Sequence, residues 1–265
     1  MIFDLKDATN WDPIVNKALK NILGHTYHKC VRENAKKIKY CDSVLEACNL
    51  FSDIASKEKM VEAVTKEICR NFKEVLTYHA CRPRRIDDYY EKGITPLSPT
   101  DAQKQFRDFF NAYASQEDIN KAISAVSINT RAGVVHTVLD DRTFIYTCGH
   151  YLIYGSEYQQ CLAVHLYGAS EQTRDILKKE GKATIFVCRL PFRTINNLEF
   201  LVPRIMADHF YRVAHNYNKV NIIDYTITLR VNIPPKAIVN HVCPIRIKDP
   251  FKQQAFWNDE TMQYE

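Results

Sequence analysis

The chain has 265 residues, of which 46% are hydrophobic and 25% charged, the proportions of an ordinary globular protein rather than of a disordered or fibrous one. Its net charge of +5 lies below the strongly basic balance of a dedicated nucleic-acid-binding domain. The 7 glycines form neither a GxxxxGK nor a GxGxxG pattern, which argues against a glycine-rich phosphate loop.

The sequence shows no pattern typical of membrane insertion or export. No apolar run approaches the roughly 18 residues of a membrane span, and residues 1–7 lack the basic and apolar regions of a signal peptide. We therefore expect a cytoplasmic protein without a membrane partner. The 9 cysteines are odd in number and scattered, so we expect reduced thiols rather than a disulfide framework.

A helical layer is predicted for residues 1–73, as a first domain. Asp12 followed by Pro13 is typical of a helix start, and Gly24 is typical of a helix end. Apolar residues at helical spacing continue through two further helices up to the end of this layer.

Residues 74–265 are predicted to form a second, α+β domain. The predicted elements are, in order, a strand at 75–80, a short segment at 86–94, a helix from 98, a hairpin at 133–139 and 143–147, a helix from 156, a strand at 183–191, a helix at 198–213 and a strand at 222–231. Apolar and polar residues alternate along the last strand, which predicts one buried and one accessible face. The polar tail from residue 249 is expected to be loose.

His79 and Arg82 are the first candidate site residues, because they lie together at the end of the first predicted strand. His79 is able to donate a hydrogen bond to a ribose hydroxyl, and Arg82 has the fork of donors that holds a phosphate. The structural alternative is a buried histidine bonded to a carbonyl, with a surface arginine beside Arg84 and Arg85.

A tyrosine-rich stretch, residues 144–158, is the second candidate. Tyr146 and Tyr154 lie close to glycines and offer aromatic faces to a cationic ring. The helix that starts at Ser156 directs amide donors towards the same region. The alternative is that these tyrosines are half-buried and seal the edge of a sheet.

Asp224 is the candidate acid, because it lies on the accessible face of the last predicted strand. A merely solvated carboxylate is the simpler alternative. Glu157 is a rival acid, but the start of a helix explains its position without any function. No metal site is predicted, because the spacing of the neighbouring histidines and cysteines matches no strong zinc pattern. These residues are His25, His28, Cys30, Cys41 and Cys48.

The order of these elements resembles that of the ADP-ribosyltransferase fold. In that family a first core strand bears a His or Arg, a middle strand and loop bear a Tyr or Ser, and a late strand bears an acid. The corresponding segments are residues 77–83, 144–158 and 222–231. The resemblance covers roughly residues 75–247 and implies a split β-sheet core with an N-terminal helical layer. A narrower resemblance, to toxins of bacterial defence systems, implies an antitoxin or chaperone partner.

The resemblance implies that NAD is the substrate and that ADP-ribose passes to a nucleic acid or protein acceptor. The acid would stabilise an oxocarbenium-like transition state as nicotinamide leaves. The usual late glutamate of the family is not evident, and Asp224 is the nearest acid. The implied NAD-binding residues are His79, Arg82, Tyr146 and Ser156, and the implied catalytic residues are Asp224 and Tyr154.

Two other functions fit the sequence. A non-catalytic nucleic-acid-binding or interaction module would use the positive charge, the arginine cluster after His79 and exposed tyrosines. A metal-independent ribonuclease would use His79, His136 or His150 as acid and base.

Overall fold

The computed structural model describes residues 1–127 and 132–265 and shows an α+β protein. The helices are α1 (Ala8–Leu23), α2 (Tyr27–Glu33), α3 (Leu45–Asn49), α4 (Lys57–Asn71), α5 (Asp87–Lys92), α6 (Pro99–Phe110), α7 (Gln116–Ala125), α8 (Arg142–Tyr146), α9 (His150–Tyr154), α10 (Glu157–Tyr167), α11 (Glu171–Leu177) and α12 (Leu198–His215). The strands are β1 (Ile2–Phe3), β2 (Glu74–Cys81), β3 (Val135–Val138), β4 (Thr184–Pro191), β5 (Thr226–Leu229), β6 (Ile238–Val242), β7 (Arg246–Lys248), β8 (Phe256–Asn258) and β9 (Gln263–Tyr264). Within these described ranges, no helix has both the length and the apolar character that a membrane span requires.

The contacts divide the chain into two units. Unit 1 comprises Met1–Leu76 and Leu190–Ile227, and unit 2 comprises Thr77–Arg189 and Thr228–Glu265. Unit 1 includes α12, which packs against α1, α2 and α4. This grouping differs from the sequence-based division at residue 74, because the packing of a distant helix on the N-terminal layer leaves no local signal in the sequence.

The first helix of unit 1 begins at Ala8 rather than at the predicted Asp12. Asp7 caps this helix, since its carboxylate accepts a hydrogen bond from the Thr9 amide at 3.0 Å. The predicted end at Gly24 is confirmed. Because Asp12 lies within the helix and does not cap it, its side chain is available for interactions with other helices.

A polar network joins α1, α2 and α12 within unit 1. The buried His209 has its Nδ1 2.7 Å from Asp12 Oδ1 and its Nε2 3.0 Å from the hydroxyl of Tyr27. Arg212 binds Asp12 and also the fully buried Asp208, at 2.8 Å. These contacts satisfy polar groups that helix packing removes from water.

Unit 1 is expected to lose stability at acidic pH because of Asp12. Burial alone would raise the pKa of Asp12, but the hydrogen bonds and positive charges of His209 and Arg212 together lower it below its ordinary value of 3.8. Such a carboxylate stabilises the fold fully above its unfolded-state pKa, and this contribution is lost as the pH falls through the folded-state pKa. In urea unfolding, Asp12→Asn should therefore lower the free energy of unfolding more at about pH 7 than at about pH 2.5. An equal loss at the two pH values would contradict the assignment.

The larger sheet has the strand order β5-β3-β2-β4-β6, and the boundary between the units crosses β2, β4 and β5. Antiparallel pairing joins β2 to β3, with Tyr78 opposite Val138, and joins β4 to β6, with Phe186 opposite His241. The predicted strand at 183–191 is confirmed as β4 and is buried along most of its length. A smaller antiparallel sheet, β7-β8-β9, lies near the C-terminal end of unit 2. In unit 1, β1 pairs in parallel with the first residues of β2.

The predicted hairpin over residues 133–147 is wrong in its second half. The first strand forms as β3, but residues 142–146 form helix α8. The cause is Asp140, whose fully buried carboxylate accepts a hydrogen bond from the Arg142 amide at 3.1 Å and pairs with the Arg142 guanidinium at 2.6 Å. A carboxylate that binds the backbone two residues further on starts a turn rather than a second strand.

Candidate functional site

His79 lies on β2, half-buried, with its ring orientation fixed by the neighbouring strand. Its Nδ1 lies 2.9 Å from the carbonyl oxygen of His136 on β3. A carbonyl oxygen only accepts, so Nδ1 carries the proton and donates, and Nε2 of the neutral ring becomes an acceptor. Among the residues that the structure describes, nothing hydrogen-bonds to this Nε2.

The protonation state of His79 follows from its surroundings. Burial lowers the pKa of His79, and the hydrogen bond to His136 only partly offsets this effect. The ring is therefore neutral at about pH 7. This geometry corrects the prediction that His79 donates a hydrogen bond to a ribose hydroxyl. The ring nitrogen that remains for a ligand is Nε2, and it accepts a hydrogen bond.

Two further polar side chains lie on the neighbouring strands β3 and β5. His136 is exposed on β3, between the buried Val135 and Thr137, and its Nδ1 lies 3.1 Å from the hydroxyl of Thr228 on β5. Thr228 is exposed as well. Because Tyr78 lies opposite Val138, the alternation of side chains directs His79 and His136 to opposite faces of the sheet. We call the face that carries His79 and Cys81 the histidine face.

Helix α5 brings aromatic residues to the strands next to this face. The ring of Tyr89 stacks on Phe186 of β4, with 4.5 Å between ring centroids. The hydroxyl of Tyr90 lies 2.8 Å from Nδ1 of His241 on β6. Tyr89 also forms a side-chain hydrogen bond with Cys81 of β2. The helix therefore packs on β4, β6 and the end of β2, next to the histidine face.

The thiols near this face are unsuited to nucleophilic chemistry. Cys81 follows His79 by two residues, so its side chain lies on the same face of β2. Burial raises the pKa of both Cys81 and Cys188 to about 12. Both thiols are therefore protonated at neutral pH, and a thiolate is the form that reacts.

Arg82 has a structural role, in contrast to the predicted contact with a diphosphate. Its side chain is 3% exposed and forms an ion pair with Asp259 at 2.8 Å. Its remaining N–H groups donate to backbone carbonyls, those of Glu180, Lys178, Gly181 and Leu152. Each guanidinium N–H is thus used within unit 2, and none is left for a ligand. The alternative of a surface arginine is also wrong.

Tyr154 is buried rather than directed at a ligand, with 2% of its surface exposed. Its hydroxyl donates to the fully buried Asp249 and lies 3.1 Å from the hydroxyl of Tyr264, which donates to Asp249 at 2.6 Å. Burial and these hydrogen bonds raise the pKa of Tyr154. The same contacts fix the tail from residue 249, so the prediction of a loose tail is wrong. A ring buried to this extent has no accessible face for nicotinamide.

The other predicted residues lie in three different places. Tyr146 is 46% exposed at the end of α8. Ser156 caps α10, because its hydroxyl accepts a hydrogen bond from a backbone amide of the first turn at 3.3 Å. Asp224 is exposed and precedes β5, which begins only at Thr226, and Arg204 donates to its carbonyl. Asp224 belongs to unit 1 and the other predicted residues to unit 2.

The structure therefore separates the predicted set. Arg82 and Tyr154 meet around Lys178, whose carbonyl accepts from Arg82 and whose ammonium lies 5.9 Å from the Tyr154 ring centroid. That meeting point is in the interior of unit 2. His79 instead contacts the backbone of His136. The side chain of His136, which the sequence suggested only for a ribonuclease, contacts Thr228, which the sequence analysis missed. The alternating exposure of β5 is the signal that could have pointed to Thr228.

No family model, no curated protein and no solved structure matches this chain. The interpretation of the site therefore depends on its geometry. Within the described part of the chain, no three His, Cys, Asp or Glu side chains are grouped to hold a metal ion. The candidate site is thus the neutral imidazole of His79, which offers Nε2 as an acceptor.

Proposed function

We propose that unit 2 binds NAD at the histidine face and transfers ADP-ribose to a macromolecular acceptor, either nucleic acid or protein. The observation that carries this proposal is the tautomer of His79, whose Nε2 is an acceptor without a partner among the described residues. Such an atom suits a ribose hydroxyl, which needs an acceptor when it is taken out of water. The position of His79 on the first long strand, as in the resembling family, supports the same ligand.

The chemistry required of these residues is electrostatic. Loss of nicotinamide leaves positive charge on the ribose, and a neutral His79 that accepts a hydroxyl hydrogen bond increases the electron density on that oxygen. The backbone carbonyl of His136 supports this role, because it holds the proton of His79 on Nδ1. The toxin-like role with an antitoxin or chaperone partner stays part of the proposal.

The proposal is tested with NAD labelled in its adenylate part. The label is incubated with RNA, with DNA and with cell lysate, using the wild type and His79→Ala. We expect the wild type to release nicotinamide and to label one class of acceptor, and we expect His79→Ala to label that acceptor more slowly. If no acceptor becomes labelled and no nicotinamide is released, the proposed transferase activity is wrong.

A further inference from the structure

A short segment of unit 1 carries most of the net positive charge of the protein. Residues 29–40 contain five lysines and arginines and one glutamate, a net charge of +4 against +5 for the whole chain. The rest of the chain is therefore close to neutral. The cationic residues of this segment are all exposed, namely Lys29, Arg32, Lys36, Lys37 and Lys39.

Most of these charges are not neutralised by a neighbouring carboxylate. Lys29 lies 3.8 Å from Glu33, one turn further along α2. Within the described ranges, the other cations of the segment form no ion pair, whereas Arg82, Arg142 and Lys178 of unit 2 all do. Unpaired exposed cations are the groups that bind the phosphates of a polyanion.

Hydrogen bonds and the burial of Ile38 fix the backbone of the segment that carries these cations. Ile38 is buried, and its carbonyl oxygen lies 2.7 Å from Nε2 of His215 on α12. The Asn34 side-chain amide donates to the Cys30 carbonyl at 2.9 Å, just before the 3-10 turn Ala35–Lys37. These contacts reduce the conformational entropy that a bound ligand would otherwise remove.

Tyr40 adds an aromatic contact at the end of the segment. It is 61% exposed and directly follows Lys39. An exposed aromatic ring beside cations stacks on unpaired bases, which a duplex does not offer. We infer that the basic surface, residues 29–40, binds single-stranded nucleic acid. This inference goes beyond the proposed chemistry in unit 2 and does not depend on NAD.

The test measures binding to fluorescent oligouridylate and oligothymidylate by anisotropy over a range of salt concentrations. The double variant Lys36→Glu/Lys37→Glu is compared with Lys59→Glu/Lys66→Glu, which makes the same change of charge at exposed positions of α4 in the same unit. We expect the first pair to weaken binding about tenfold or more. It should also reduce the slope of log affinity against log salt by about 1.4, since each phosphate contact on a single strand contributes about 0.7. The second pair should leave both quantities close to those of the wild type.

The aromatic contact has its own substitution, Tyr40→Ala. It should weaken binding by roughly 5- to 150-fold, the equivalent of about 1–3 kcal/mol for one stacked base, with the salt slope unchanged. The oligonucleotide that is bound with the higher affinity then shows whether the preferred single strand is RNA or DNA. Equal losses in the two double variants, or wild-type binding to duplex as tight as to single strands, would overturn the inference. Because no NAD is present, neither result bears on the transferase proposal.

Discussion

Arg82→Ala is expected to lower the free energy of unfolding by about 3–5 kcal/mol, because it leaves a buried carboxylate without its cation. The side chains of Arg82 and Asp259 are both almost fully buried and lie 2.8 Å apart. After the substitution Asp259 would keep only two neutral donors, the Ala183 amide and the Trp257 indole, each at 3.1 Å. The backbone carbonyls that Arg82 binds would lose their donor as well. Urea unfolding followed by circular dichroism measures the loss.

A matched control lies two residues away. Arg84 is 51% exposed and pairs with Glu180, so Arg84→Ala should cost only about 0–1 kcal/mol. The comparison also separates the structural role of Arg82 from the predicted diphosphate contact. A stable Arg82→Ala protein that has lost its affinity for NAD would contradict the structural role of Arg82. It would instead support the predicted contact of Arg82 with the diphosphate.

His79→Ala is expected to slow nicotinamide release by roughly 5- to 150-fold. The substitution removes the acceptor for a ribose hydroxyl, and a hydrogen bond left unmade costs about 1–3 kcal/mol, where each 1.4 kcal/mol is about tenfold. His136→Ala is the control, since it retains the carbonyl that binds Nδ1 of His79. Its effect on nicotinamide release should be much smaller. Losses of about 10²–10⁴-fold in both variants would instead be those of a general acid and base pair.

The dependence of the activity on pH is a second test of the role of His79. The neutral ring is the active form, and burial lowers the pKa of His79 below its ordinary value of 6.5. Activity should therefore persist as the pH falls through 6.5 and decline only at lower pH, as the ring gains a proton. Activity that is lost as the pH rises through that value would mean that the protonated ring is required.

Local patterns predicted the elements that position His79. The strand at 75–80 and its histidine are observed in β2, and the strand at 183–191 is observed as β4. These segments are strings of β-branched and aromatic residues, and sheet formation follows from that composition. The capping serines Ser98 and Ser156 likewise begin α6 and α10 as predicted, because a serine hydroxyl binds the free amides of a first helical turn.

The roles of single side chains were harder to predict, because they depend on residues that are distant in the chain. Arg82 is buried by Asp259 and by carbonyls about a hundred positions away, such as that of Glu180. Tyr154 is buried by Asp249 and Tyr264. Nothing in the residues next to either side chain indicates these partners. The neighbouring residues in the sequence do not distinguish an arginine or tyrosine that makes a long-range contact from one that binds a ligand.

The same limit applies to the candidate site. The sequence placed His79 on an accessible strand but paired it with Asp224, which the structure places in unit 1. The partner that orients His79 comes instead from β3, through the backbone carbonyl of His136. Strand order decides which side chains become neighbours, and the spacing of residues along one strand carries no information about that order.

Nitrogen–proton NMR spectra of the histidine rings, recorded with and without NAD, test the central claim most directly. At about pH 7 we expect His79 as the neutral tautomer with its proton on Nδ1. On addition of NAD its Nε2 signal should shift, while the signals of His215 in unit 1 stay unchanged. A His79 ring with its proton on Nε2, or a His79 signal that NAD does not move, would contradict NAD binding at the histidine face.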